Sequence, residues 1–300
     1  MRKLATLRFD NNMDQDQKAK IFITICGCIC IILVGLIFAF LIGESLPFLT
    51  REGVSSIFSD RWIPVSFNKE VYGLYPLLCG SLLVTLIACA FAMPLGFAAA
   101  LYLAEFASDL EREFLKPSLE ILASIPSVVL GFFGLVVIVP GVQKLFNLQS
   151  GLNALSGGII LAIAALPTMI TIAEEALRSV PHSYREASLA LGASRLQTVF
   201  LTIIPAGRSG IVAAFLLGVG RVIGETMAVL MVTGNAAILT FNPGESVRTM
   251  TATIAAEMGE VAFGSTHYHA LFFVGLVLLF ITFFINSISQ WVLRKEGIQP

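Results

Sequence analysis

The sequence predicts an all-α polytopic membrane protein built from six spanning helices. Three observations carry that prediction. Hydrophobic residues make up 56% of the 300-residue chain and charged residues only 13%, whereas soluble domains carry about 25% charge. Six apolar segments reach the roughly 20 residues needed to cross a bilayer; they lie at 21–43, 76–104, 121–143, 154–173, 209–234 and 270–293. Charges fall in the connections between them, with a single exception in the fifth segment.

No Pro/Ser-rich linker or charge run divides the chain, so one membrane domain is expected at 21–293, preceded by a segment at 1–20 and followed by a tail at 294–300. The net charge of −1 excludes a nucleic-acid binder, which would show a basic face.

The first span is too long for a cleaved leader, and no small-x-small cleavage site follows it. It holds Cys26, Cys28 and Cys30, which look like a ligand cluster on paper. Each step of two along a helix turns the side chain by roughly 200°, so Cys28 faces away from the other two, and the three read as small hydrophobes in lipid. Pro94, Pro126, Pro140 and Pro167 interrupt the second, third and fourth spans, with Ser124, Ser127, Thr168 and Thr171 close by. Proline in a span frees backbone carbonyls that must find hydroxyls, water or other helices. These residues either line a polar pathway or belong to ordinary kinked packing.

The fifth span carries the exception. In Gly218-Val219-Gly220-Arg221-Val222-Ile223-Gly224-Glu225-Thr226-Met227, an arginine and a glutamate sit one helical turn apart near mid-membrane. Ionisable groups at that depth are costly and mark pathways by default. Gly220, Gly224 and Ala228 recur every four residues, a stripe that lets another helix approach closely. Arg221 and Glu225 lie about 100° around from it, facing a cavity on this reading. A buried ion pair that fixes helix packing is the alternative.

Orientation follows from the cations in the connections. One side, comprising 1–20, 105–120, 174–208 and 294–300, holds thirteen Lys and Arg; the other, comprising 44–75, 144–153 and 235–269, holds five. Both termini are expected on the cytoplasmic side.

The longest cytoplasmic connection is 174–208. Pro181 and Ser183 open a short helix there, with Glu186 placed as in a capping box. Gly192 can end it. Leu189 and Leu191 flank small residues, which suits a piece that docks in a cleft of another protein.

The spacing Glu186-Ala187-x-x-x-x-Gly192, followed by Ile204-Pro205, resembles the EAA loop of permease subunits in ABC importers. Its place between the fourth and fifth spans agrees; Ser188 stands where the family more often has alanine. Ile125-Pro126-Ser127-Val128-Val129-Leu130-Gly131, Leu166-Pro167-Thr168-Met169-Ile170 and Gly220-Arg221-Val222-Ile223-Gly224-Glu225-Thr226-Met227-Ala228-Val229 look like the permeases of the high-affinity phosphate importer. Met-Ala-Val after Gly-Glu-Thr resembles its PstC chain, as do the outer loop 44–75 and Thr251-Ala252-Thr253-Ile254-Ala255-Ala256-Glu257.

The resemblance implies a type I ABC importer permease (MetI-like) fold in a bacterial inner membrane. It implies a coupling helix carrying Tyr184, Arg185, Glu186, Ala187, Leu191 and Gly192, seated in a groove of an ATP-binding subunit. It further implies a dimer of those subunits holding ATP and Mg, a second permease of the PstA type and a periplasmic phosphate-binding protein. The expected pathway residues are Arg221, Glu225, Thr226, Ser127 and Thr168. No cofactor is expected on this chain.

No lysine follows a glycine, so the chain has no Gly-Lys-Ser/Thr phosphate loop, and hydrolysis is expected on a partner. No span contains His or Asp, which leaves no acid–base pair for intramembrane proteolysis. His267-x-His269 is too sparse for a metal site. A proton-coupled secondary transporter would explain Arg221 and Glu225 but not the 181–205 loop; a sensor without transport is a further alternative.

Overall fold

The computed structural model describes residues 2–66 and 70–295, and the side chains of 17–53, 56–66, 70–288 and 291. Residues 296–300 of the expected tail, and Lys69 of the outer-side cation count, lie outside the described residues.

Among the described residues, six helical stretches are long and apolar enough to cross a membrane: Gln17–Glu52, Tyr75–Phe106, Ser127–Leu145, Ala154–Arg178, Arg195–Gly224 and Thr266–Ile288. The first belongs to α1 (Arg2–Glu52), the second to α2 (Tyr75–Leu101) extended by a π-helical turn, Tyr102–Phe106. Between α1 and α2 a short hairpin pairs β1 (Trp62–Ile63) with β2 (Val71–Tyr72), antiparallel, Trp62 opposite Tyr72. It sits on an apolar cluster of Phe48, Leu77, Met250 and Leu271, which defines the hairpin end of the bundle.

The third span starts later than its apolar run suggests. Residues before 125 form a separate amphipathic helix, α3 (Asp109–Ser124), opened by a capping box between Ser108 and Glu111. Proline disfavours the helical region for the residue before it. Ile125 accordingly adopts φ −64°, ψ 124°, the chain breaks at Pro126, and α4 (Ser127–Phe133) begins. A π stretch then leads into α5 (Val139–Leu145). Pro94 and Pro167, by contrast, lie inside unbroken helices, so the expectation that all four prolines interrupt their spans is corrected.

The fourth span, α6 (Ala154–Arg178), is the central helix, buried over most of its length. Small residues allow this. Any Cβ at Gly158 would stand 2.3 Å from Ile87 Cγ2, and any at Gly157 2.6 Å from Thr233 Cγ2. Helices α2 and α6 therefore pack backbone to backbone, with Val84, Ala88, Ala92, Ile160, Leu161, Ala165 and Met169 in one core. At the opposite extreme α1 buries nothing of its apolar window and packs chiefly on α12 (Thr266–Lys295).

After α6 come α7 (His182–Ala190) and α8 (Arg195–Thr198), the latter continuing through a π turn into α9 (Ile204–Gly224). The fifth span thus begins at Arg195 and stops at Gly224. Helix α10 (Met227–Val232) follows the break, and α11 (Met250–Glu257) closes the chain before α12.

Candidate functional site

Arg221 occupies the last turn of α9, where a cation complements the partial negative charge of the helix end. Glu225 follows the helix rather than continuing it, with φ −70° and ψ 134°. No proline forces this break. It is held by hydrogen bonds: Thr251 Oγ1 donates to the Glu225 carbonyl at 2.8 Å, and the Thr226 amide donates to Glu225 Oε1 at 3.1 Å. Leu230 N–H then closes the first turn of α10 on the Thr226 carbonyl at 3.0 Å.

Two expectations are corrected here. Arg221 and Glu225 do not share one continuous helix, and among the described residues no ion pair joins them. The Glu225 carboxylate turns back on its own backbone instead. The Gly220–Gly224–Ala228 stripe is also split by the break: a Cβ at Gly224 would meet nothing within 4 Å, while Ala228 packs tightly on Gly131 of α4. The close approach of α9 to α6 is made by Gly218, where a Cβ would stand 2.1 Å from Met169 Cε.

Arg221 is exposed on the surface of this chain, and its hydrogen bond runs from Nη1 to Thr168 Oγ1 at 3.4 Å. Of the expected pathway residues, the structure brings these two together. Thr226 is half-buried beside Glu225, its hydroxyl on the Gly224 carbonyl at 3.3 Å. Ser127 stands half-buried at the start of α4, and no hydrogen bond among the described residues links it to Arg221.

At the other end of α6, α7 forms a short exposed helix. Its start is set by Pro181, at φ −54° and ψ 141°, with no side-chain cap. The capping box expected at Ser183 and Glu186 is absent; Glu186 Oε1 instead lies 3.2 Å from His182 Nδ1. A true box forms one helix later, between Ser194 and Gln197. Gly192 ends α7 at φ +84°, and the Ala193 amide reaches back to the Ser188 carbonyl at 3.2 Å, as glycine-terminated helices do. Tyr184, Glu186, Ala187 and Leu191 are exposed, Leu191 to 90%. Arg185 is turned inward, its side chain 18% exposed against Glu105.

The model of the family described as "binding-protein-dependent transport system inner membrane component" matches residues 92–296, which include α6, α7 and the whole of α9. This chain belongs to that family. A probable ABC transporter permease, YqgH of Bacillus subtilis, is 36% identical to this chain over 299 residues, 99% of this chain and 96% of the relative. The phosphate transport system permease protein PstC of Xylella fastidiosa is 34% identical over 83% of this chain and 82% of its own. Among solved structures, the MetNI methionine ABC transporter aligns with TM-score 0.55 at 19% identity, over 74% of this chain and 94% of that one. A bacterial importer of the acidic polysaccharide alginate aligns with TM-score 0.53 at 14% identity, over 85% and 95%. These two likenesses show the type I, MetI-like permease fold; the family match, the permease relatives and the six candidate spans together make the chain a multi-pass ABC importer permease.

In this permease three functional candidates escaped the sequence reading. Glu105, at the end of the second span, receives Arg185 from 80 residues away. Thr251 holds the break after α9 from 26 residues away. Glu174 is fully buried at the α7 end of α6, with Lys116 Nζ 2.8 Å from Oε2 and Arg178 Nη1 3.4 Å from Oε1. Glu105 and Glu174 each left a signal, as the first charge after an uncharged span; Thr251 left none. His267 and His269 have separate partners at the hairpin end: His267 Nε2 lies 2.9 Å from Glu257 Oε2, and His269 Nδ1 lies 2.8 Å from the Glu44 carbonyl. Glu257 also receives Trp62 Nε1 at 3.0 Å and Arg248 Nη1 at 2.6 Å. Tyr72 belongs to the same end; burial, then its bond to Glu70, pushes its phenol well above the usual range.

Proposed function

We propose that this chain is the PstC-type permease of an ATP-driven importer that carries inorganic phosphate across a bacterial inner membrane. The observation that carries the reading is Arg221: a guanidinium in a membrane-spanning helix, exposed on this chain, bonded to the Thr168 hydroxyl at 3.4 Å and, among the described residues, not ion-paired with Glu225. Phosphate is anionic at neutral pH and fits a planar guanidinium fork. Similarity to phosphate transport permeases over 83% and 88% of this chain supports that choice of anion.

In this reading the α7 end faces the cytoplasm together with both termini, in line with the cation count. Tyr184, Glu186, Ala187, Leu191 and Gly192 on and after α7 form the face that docks on a separate ATP-binding subunit, whose dimer holds ATP and Mg; this chain binds no cofactor and hydrolyses nothing. The hairpin end receives phosphate from a periplasmic binding protein, and a second, PstA-type permease completes the passage that Arg221 faces. Thr168, Thr226 and Ser127 add polar groups to it. Glu225 keeps negative charge near the passage, which favours release, since conduction requires binding that is not too tight.

Reconstitution of the permease with its sister chain, ATP-binding subunit and binding protein tests this. ATP-dependent uptake of inorganic phosphate, outcompeted by phosphate far better than by sulfate, is the expected result. Uptake of a different oxyanion, or none, would overturn it.

A further inference from the structure

Glu105 holds both ends of the segment that contains α7. Its carboxylate receives Arg185 twice, from Nη2 to Oε1 at 2.5 Å and from Nε to Oε2 at 3.4 Å. Its main-chain carbonyl accepts from Arg195 Nη2, at the start of α8, and the Arg195 guanidinium lies 5.5 Å from the centroid of the Phe106 ring. Arg185 reaches further, from Nη1 to the Val180 carbonyl at 2.8 Å and from Nη2 to the Leu177 carbonyl at 3.2 Å. Those carbonyls lie at the end of α6 and just beyond it, near where the helical ladder leaves acceptors unused. One guanidinium therefore ties α7 to the second span and to α6 together.

The pair is secluded: the Glu105 side chain is 9% exposed and that of Arg185 18%. A residue meant to contact another subunit would present its donors outward, as Tyr184 and Leu191 present their side chains. The Nε, Nη1 and Nη2 of Arg185 are all committed within this chain. A two-pronged arginine–carboxylate contact fixes direction as well as distance, which suits the transfer of displacement. Where that displacement leads is set by packing. Helix α2 is locked to α6 through Gly96, Gly157 and Gly158, and α6 carries Thr168, the partner of Arg221.

We infer that Glu105 and Arg185 form a mechanical joint through which movement of α7 drives the second and fourth spans as one body and so reaches Arg221. This rests on the reading of α7 as the face that docks on the ATP-binding subunit. Arg185 is on this account a positioning residue, not a contact to that subunit.

The test uses the complete reconstituted transporter with inorganic phosphate, measuring phosphate moved per ATP hydrolysed and co-purification of the ATP-binding subunit. Glu105→Gln should leave the ATP-binding subunit attached and lower the transport-to-hydrolysis ratio at least about fivefold, the low end of ordinary coupling between sites. Arg185→Lys keeps the charge but not the fork, and should also assemble and lose part of the ratio. Combining Glu105→Gln with Arg185→Gln should be no worse than Arg185→Gln alone, because losing the guanidinium already removes the contact to Glu105. A ratio within about twofold of wild type in Glu105→Gln and Arg185→Lys, or additive losses, would overturn the inference. So would loss of the ATP-binding subunit from Arg185→Lys, which would assign the residue to docking. Failure of the underlying reading looks different: Leu191→Asp would then retain both the ATP-binding subunit and full coupling, and the joint would fall with it.

Discussion

The arginines at the α7 end and Arg221 in the last turn of α9 are built in opposite ways. At the α7 end, Arg112 donates twice to the Leu103 carbonyl, at 3.1 and 2.8 Å, which falls within the terminal π turn of the second span. Arg185 is spent on Glu105, and Arg178 and Lys116 flank the buried Glu174. In the last turn of α9, Arg221 has one hydrogen bond among the described residues, at 3.4 Å, and an exposed side chain, although Glu225 stands four residues on. Charges that are fully committed inside the chain hold elements in place. A charge left under-committed in a spanning helix is available to something outside the chain, either the passing anion or the neighbouring permease. Under the proposed function, that difference divides parts that transmit force from a part that meets substrate.

That contrast can be broken by mutation. The largest stability loss is expected where a committed charge loses its partner: Lys116→Met strands Glu174 with only Arg178, and breaking a buried pair in this way costs about 3 kcal/mol. A thermal melt of the detergent-solubilised complex reads it; an unchanged midpoint would mean the α7-end charges are no more structural than Arg221. Next comes the α2–α6 contact. Gly158→Leu drives a side chain into Ile87 and Ala88 and should cost about 1–3 kcal/mol by overpacking, with a matching drop in yield.

Gly192 is a smaller and purer case. A Cβ there meets nothing within 4 Å, so Gly192→Val should cost about 1–2 kcal/mol from the φ of +84° alone. Its larger effect is predicted on coupling, because the turn that presents Leu191 shifts; unchanged phosphate transported per ATP would count against docking through this segment.

The smallest effect concerns the α3 cap. Ser108→Ala should cost about 1 kcal/mol. The bonds that Glu111 accepts from the Ser108 backbone and hydroxyl, and from Tyr102, hold its carboxyl below the usual range. A depressed folded-state pKa gives stabilisation that is present above the ordinary carboxylate pKa and is lost as pH falls through the folded value. The Ser108→Ala difference should therefore shrink in an acid melt, and a difference that grows on acidification would contradict the cap.

Much of the fold was legible because apolar runs are a strong signal; the six spans stand where the runs are. Their ends were less legible. The Ile125-Pro126 break can be read from proline chemistry, yet hydropathy alone runs the third span back to 121 through the apolar residues of α3. No proline announces the break at Glu225: Thr251 from a distant helix and the local bonds of Thr226 hold it together, so spacing alone produced a continuous helix, with an ion pair as the alternative. Ser183 and Glu186 matched a capping box, but Pro181 started the helix earlier. Gly192 was readable, since a helix that ends on a left-handed residue wants glycine. The site was half legible: Arg221 and Thr168 meet, whereas the partner of Arg185 lies 80 residues back and no motif spans that distance.

The account turns on Arg221 serving substrate rather than architecture, and one measurement bears on it most directly. ATP-driven uptake of inorganic phosphate by a reconstituted Arg221→Gln complex should fall at least about tenfold, a loss of about 1.4 kcal/mol or more at the transport barrier. The complex should assemble fully and melt with the wild type, since replacing a lightly engaged surface side chain changes stability by about 0.5 kcal/mol or less. Uptake at the wild-type rate, or a melting midpoint several degrees lower with the residual uptake merely following the lost protein, would contradict it.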